Sequence, residues 1–222
     1  MKFEPFLLAL CAATAVTPTL AASGFSYPTL LAEFDVEGSW DNAAEIKPEP
    51  GFFGTIKLAG GLNISLDRTP LQDIAHAFDT GIQTYQYAGY TTSWLCYTHA
   101  GRRVWFIVDL TYETTDEVNV SMIIDEPADP VTDALFLCAD QPGAMLTKPG
   151  ALPVIGTTRD ELNTRFKAQI PAGATRVTGM SDAAIEDSGI YDMKIVTYRL
   201  KNDAVDAIYI AEDYNTDDEV TE

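Results

Sequence analysis

The stretch "SWLCYTHAGRRVWFIV", Ser93 to Val108, decides the fold of this chain. It admits two readings. Cys96 lies three residues from His99, which suggests a thiolate–imidazole pair. Alternatively, two apolar strands flank a short turn, His99-Ala100-Gly101-Arg102, which describes a β-hairpin. On a strand, residues three apart point to opposite faces, so a strand reading separates Cys96 from His99. The same alternation puts Trp94 with Cys96 and Leu95 with Tyr97. "VWFIVDL" has no alternation and reads as a strand buried on both faces. The hairpin reading is the one carried forward.

A hairpin leaves Cys96 in need of a role. The chain has three cysteines. Cys11 lies inside "MKFEPFLLALCAATAVTPTLAAS", where Lys2 precedes an apolar run from Phe6 to Val16 and small residues follow. That pattern reads as a secretory signal peptide cleaved near Ala21 or Ala22. Leu10 stands where a lipoprotein signal needs a small residue, and the run is too short to span a bilayer. An exported chain with two remaining cysteines pairs them, so a Cys96–Cys138 disulfide is expected. With only His76 and His99 as further soft ligands, a structural zinc site is not expected.

Working outward, "TPLQDIAHAF" reads as a helix. Thr69 is the expected N-cap, Pro70 the first helical residue, Gln72 the capping-box partner and Gly81 the terminator. Leu71, Ile74 and Phe78 share its apolar face. "IQTYQYA" and "VNVSMII" read as further strands. The Pro/Gly-rich "ADQPGAMLTKPGALP" reads as a linker, after which the order starts again. "GTTRDELNTRFK" carries a capping box at Thr158 and Glu161, with Leu162 and Phe166 on one face. Strands in "ATRVTGM", "YDMKIVTYRL" and "AVDAIYIAED" follow. Thr69 aligns with Thr157, Ile74 with Leu162 and Phe78 with Phe166, a weak internal repeat.

The expected organisation is therefore a signal over 1–22, an N-terminal extension over 23–60, a first module over 61–138, a linker over 139–153, a second module over 154–211 and an acidic tail over 212–222. The fold class is α+β, with tandem modules of helices packed on an antiparallel β-sheet.

The formal charge is −19. No Lys or Arg occurs between Arg103 and Lys148, a span that holds Asp109, Glu113, Asp116, Glu117, Asp125, Glu126, Asp129, Asp133 and Asp140. Such a surface repels nucleic acid and anionic membrane. It serves either solubility or the steering of a basic protein partner. Trp94, Trp105, Phe106, Tyr85, Tyr87, Tyr90 and Tyr97 gather in one region, as core or as an exposed aromatic face.

The capped helix "VIGTTRDEL", the strand "WLCY" and the closing V-x-x-I strands, taken twice, resemble the tandem modules of the β-lactamase-inhibitor protein fold. They also resemble the related BamE-like (SmpA/OmlA) envelope modules. The resemblance implies helices on one face of an antiparallel sheet and binding of other proteins without catalytic residues. The function expected is an exported inhibitor or immunity protein against a basic toxin or hydrolase, periplasmic or secreted. Glu113, Asp116, Glu117, Tyr90 and Trp94 are the candidate partner contacts. No cofactor, metal or membrane insertion is expected. The rival readings are an envelope-assembly module and an exported hydrolase with a carboxylate site; "DEPADP" and "DYNTDDE" lack the Gly and terminal Glu of a calcium loop.

Overall fold

A computed structural model describes residues 43–48, 53–87, 90–111, 119–149, 152–185 and 190–216. All of them fall in one compact unit, Val36–Glu222. The protein is a sheet-rich α+β fold.

In chain order the elements are β1 (Ala43–Ile46), β2 (Ile56–Leu58), β3 (Asn63–Ile64), α1 (Leu71–Ala77), β4 (Gln83–Tyr87), β5 (Tyr90–His99), β6 (Arg102–Thr111) and β7 (Met122–Pro127). They continue as α2 (Pro130–Leu135), β8 (Ala139–Asp140), a 3-10 turn (Pro142–Ala144), β9 (Leu146–Pro149), α3 (Arg159–Phe166), β10 (Arg176–Ile185), β11 (Ile190–Lys201) and β12 (Ala204–Thr216).

The main sheet runs β1-β10-β11-β12-β7-β6-β5-β4, with β8 on the same edge of β5 as β4. It is mixed: β1 is parallel to β10 and β8 to β5, while the other pairs are antiparallel. This corrects the expectation of separate helix-on-sheet modules. Strands from both halves of the chain run on as one sheet, joined where Met122–Asp125 of β7 faces Ile208–Ala211 of β12. Two exposed sheet edges were replaced by one paired seam, which removes a row of unpaired backbone groups from solvent.

One face of the sheet carries Leu95, Tyr97, Val104, Phe106, Ile123, Val177, Val196, Tyr198, Ile208 and Ile210 into the principal core. Leu71 and Ile74 of α1 and Leu162 of α3 are fully buried in that core. A second sheet, β3-β2-β9, adds Ile56, Leu58, Ile64 and Leu146 to it. Part of the other face of the main sheet is apolar as well. Cys96, Trp105, Ile124 and Tyr209 follow one another across β5, β6, β7 and β12, and all four are buried. Burial on both faces explains why Val104 to Val108 shows no polar alternation.

The opening hairpin forms as read. His99 faces Arg102, and Ala100 and Gly101 make the turn with φ of 50° and 79°. Two central residues at positive φ match the right-handed twist of the strands they join. Asn202 and Asp203, φ 52° and 66°, make the equivalent turn between β11 and β12.

Helix starts separate the two halves. Thr158 and Glu161 form the expected capping box. The box at Thr69 does not form: the N-cap is Pro70, the helix ends at Ala77 instead of Gly81, and Gln72 bonds His76. Thr69 Oγ1 instead accepts from the backbone N–H of Ser65 at 2.9 Å. The local turn at Ser65 takes the hydroxyl that the helix would have used. Residues 139–149, expected as linker, hold β8, the 3-10 turn and β9, and bury Ala144, Met145 and Leu146. Gly143 is required there by close packing: a Cβ would come 2.9 Å from the Phe78 ring. Residues 1–42, the expected signal and the first part of the expected N-terminal extension, lie outside the described residues.

Candidate partner-binding surface

Cys96 and Cys138 are joined, with their Cα atoms 4.6 Å apart. Cys96 therefore offers no thiolate, and His99 turns instead to Asp140, 3.2 Å away on the exposed side of β8. The disulfide closes one side of a compact corner made by β5, β6, β7 and α2.

Beneath that corner sits a buried ionic group. Arg103 of β6 lies opposite Glu126 of β7. Its Nε donates to Glu126 Oε1 at 2.8 Å and its Nη1 to Asp133 Oδ1 at 2.7 Å. Trp105 Nε1 donates to the same Glu126 oxygen at 2.9 Å, and the guanidinium lies over the Trp105 ring at 5.2 Å. The side chains of Arg103 and Glu126 are 7% and 8% exposed. Two charges so deep in an apolar corner are tolerated because each is paired and hydrogen-bonded. On the opposite face of the same two strands, Arg102 is held by both oxygens of Asp125. Burial, ahead of the opposing effect of Arg102, raises the Asp125 carboxyl above its ordinary value.

α2 rests on this base through its inner side. Asp129 caps it, accepting from the Val131 N–H and the Thr132 hydroxyl, both at 3.0 Å, and these bonds lower the Asp129 carboxyl. Asp133 reaches in to Arg103. Phe136 enters edge-on against Trp105 and Trp94, with ring centroids 4.9 Å and 6.0 Å away. Cys138 then returns the chain to β5. The outer side carries Val131 and Leu135, four residues apart and so on one helix face. With Leu137 they are 70%, 65% and 55% exposed.

Of the candidate contacts from the sequence, Trp94 lies on β5, 8% exposed and covered by Phe136. It supports the surface from beneath. Its Nε1 has no hydrogen-bond partner among the described residues. Tyr90 opens β5 opposite Tyr87. Glu113, Asp116 and Glu117 lie outside the described residues. His76 is exposed and bonded to Gln72. Sequence reasoning missed Val131, Leu135 and Leu137. The signal was present: Asp129-Pro130 is a cap followed by a first-turn proline, and apolar residues recur at a spacing of four. "DEPADP" had been read for its charge alone.

Elsewhere Lys194 lies 2.8 Å from Asp192 and 3.2 Å from Glu212. Burial raises the Glu212 carboxyl, with Lys194 opposing the shift. This is a described place where two carboxylates flank one cation. No group of three or more His, Cys, Asp or Glu side chains fit to hold a metal ion occurs among the described residues. No described helix is long and apolar enough to cross a membrane.

No known protein family, curated protein or solved structure matches this chain.

Proposed function

We propose that this chain is an exported, non-catalytic protein-binding module, an inhibitor or immunity protein that blocks a basic hydrolase or toxin in the periplasm or outside the cell. The observation that carries the reading is the acidic, disulfide-held corner at β7, α2 and β8. Glu126, Asp129, Asp133 and Asp140 are gathered there against one arginine, Arg103. An excess of one sign on a rigid surface speeds the approach of a partner of opposite sign. The signal-like N-terminus and the disulfide suit an oxidising compartment.

The same reading takes the chain as a doubled unit of the kind found in the β-lactamase-inhibitor and BamE-like folds. Its support is a repeated backbone clip before α1 and before α3. Pro70 bridges Asn119, and Thr158 bridges Ala204. Asp67 N–H bonds Val120 C=O and Val120 N–H bonds Thr69 C=O; likewise Gly156 N–H bonds Val205 C=O and Val205 N–H bonds Thr157 C=O.

The test is stoichiometric inhibition. Purified protein is titrated into assays of basic exported hydrolases, lysozyme and ribonuclease A among them. One-to-one inhibition, with an on-rate that falls as salt rises, is expected for a cognate class. The rival hydrolase reading is favoured by the Asp192–Lys194–Glu212 group. Hydrolysis of a generic glycoside or ester substrate, abolished by Asp192→Asn or Glu212→Gln alone, would replace the binding reading.

A further inference from the structure

Val131, Leu135 and Leu137 are the three most exposed of the large apolar side chains among the described residues. They are neighbours in sequence and on one projection. Scattered apolar side chains on a surface need no explanation, whereas a contiguous group points to a contact. The projection is also stiff. Its backbone is tied by Ala128 N–H to Gly101 C=O at 2.9 Å, Cys138 N–H to Asp133 C=O at 3.0 Å and Gln141 N–H to Thr98 C=O at 3.1 Å. Its side chains are tied by Arg103–Asp133, by Phe136 between two tryptophans, and by the disulfide. A helix with no buried residue of its own is thus held from below by its neighbours. Such preorganisation lowers the entropy lost on docking.

We infer that the Val131–Leu135–Leu137 projection is the docking contact of this chain, and that it seats in an apolar recess bordered by Lys or Arg on a partner protein. The inference rests on the binding reading above and names the site for it. Charge decides the occupant. Four acids, Glu126, Asp129, Asp133 and Asp140, against Arg103 leave the corner at −3. A second copy would bring −3 against −3, and an anionic lipid surface would repel it equally. A basic rim around an apolar recess satisfies both parts of the surface, the usual division of an interface into a dry centre and a polar border.

The experiment pans a phage-displayed library of random linear peptides on the immobilised protein and measures the enriched peptides against variants. Enriched peptides are expected to combine a large apolar side chain with Lys or Arg. The exposed triple variant Val131→Ser, Leu135→Ser, Leu137→Ser, checked for an intact disulfide and an unchanged melting temperature, is expected to lose about tenfold or more in affinity. Asp129→Asn with Asp140→Asn keeps a capping side chain at position 129 and is expected to slow association several-fold at low salt only. Enriched peptides that bind the triple variant unchanged would overturn the docking site while leaving a binding function standing. Enrichment of apolar peptides without basic residues would overturn the basic rim. No enrichment above an unrelated acidic control protein would overturn both readings. A wild-type dimer by light scattering that the triple variant abolishes would make a second copy the occupant and overturn the proposal.

Discussion

Replacing Arg103 by alanine removes the cation that joins Glu126 and Asp133 in the corner below α2. Arg103 and Glu126 are each more than nine-tenths buried, and Asp133 is 17% exposed. Truncation strands Glu126 in an apolar setting, with Trp105 Nε1 its one remaining donor among the bonds described above. Breaking a buried pair by removing one partner costs about 3–5 kcal/mol. For a chain of this size, each kcal/mol moves the melting temperature by roughly 2–4 °C. The expected loss is therefore roughly 6–20 °C by calorimetry. The cause is the stranded charge, so the cost must depend on Glu126. Arg103→Ala combined with Glu126→Gln is expected to be less destabilised than the sum of the single variants, with a coupling of about 0.5–3 kcal/mol. Arg103→Lys is expected to recover only part of the loss, because one ammonium cannot span Glu126, Asp133 and the Trp105 face together. A melting temperature within 2 °C of wild type for Arg103→Ala, or additive single and double variants, would refute the reasoning.

Four further outcomes follow from the same structure. Removing the disulfide by Cys96→Ser with Cys138→Ser opens a loop of sequence separation 42, which the chain-entropy relation puts at about 4 kcal/mol; an unchanged denaturant midpoint would contradict it. Ala100→Asn places Asn-Gly at the turn where alanine now holds φ 50°; a gain of about 0.5–1 kcal/mol is expected in urea titration, and a loss would contradict the turn assignment. The Tyr198 hydroxyl is buried without a partner among the described residues, and burial raises it well above its ordinary value. Tyr198→Phe is accordingly expected to leave stability unchanged or raise it by about 1 kcal/mol, and a loss above that size would reveal a bond. Asp125 has a folded pKa raised above the ordinary 3.8, chiefly by burial. The folded state then holds a proton that the unfolded state releases, so this part of the stability is lost as pH rises from 3.8 through the folded value. The melting-temperature difference, wild type minus Asp125→Asn, is expected to shrink across that window; a constant or growing difference would contradict it.

The local features were legible because short-range chemistry decides them. Ala100-Gly101 between two apolar runs could only turn, and Val104–Val108 without polar alternation could only be covered on both faces. Thr158 and Glu161 capped as read, each side chain bonding the other residue's backbone N–H. Thr69 did not, because Ser65, four residues earlier, bonds its hydroxyl. The segment 139–149 looked like a linker because Pro142 and Gly143 break regular structure. In the fold they serve a tight passage over Phe78, and no local pattern reports such a neighbour. The seam between β7 and β12 was invisible because each strand alone reads the same whether its edge is paired or free. The apolar projection was legible in part, through Asp129-Pro130, but its exposure depends on Phe136 and Asp133 pointing inward, a matter of tertiary contact.

The seam also sets an order of events in time. The β5–β6 and β11–β12 hairpins close over two-residue turns, whereas Ile208 meets Asp125 across most of the length of the second half. Contacts near in sequence cost little loop entropy and form early; distant ones wait. Cys96 and Cys138 both lie in the first half, on the near side of the seam. Their oxidation needs only the β5–β6–β7 meander and α2, and can precede the arrival of β12. A chain emerging N-terminus first can thus lock its acidic corner covalently while its C-terminal strands are still unfolded. The sulfur chemistry and the closing of the sheet become separate kinetic phases.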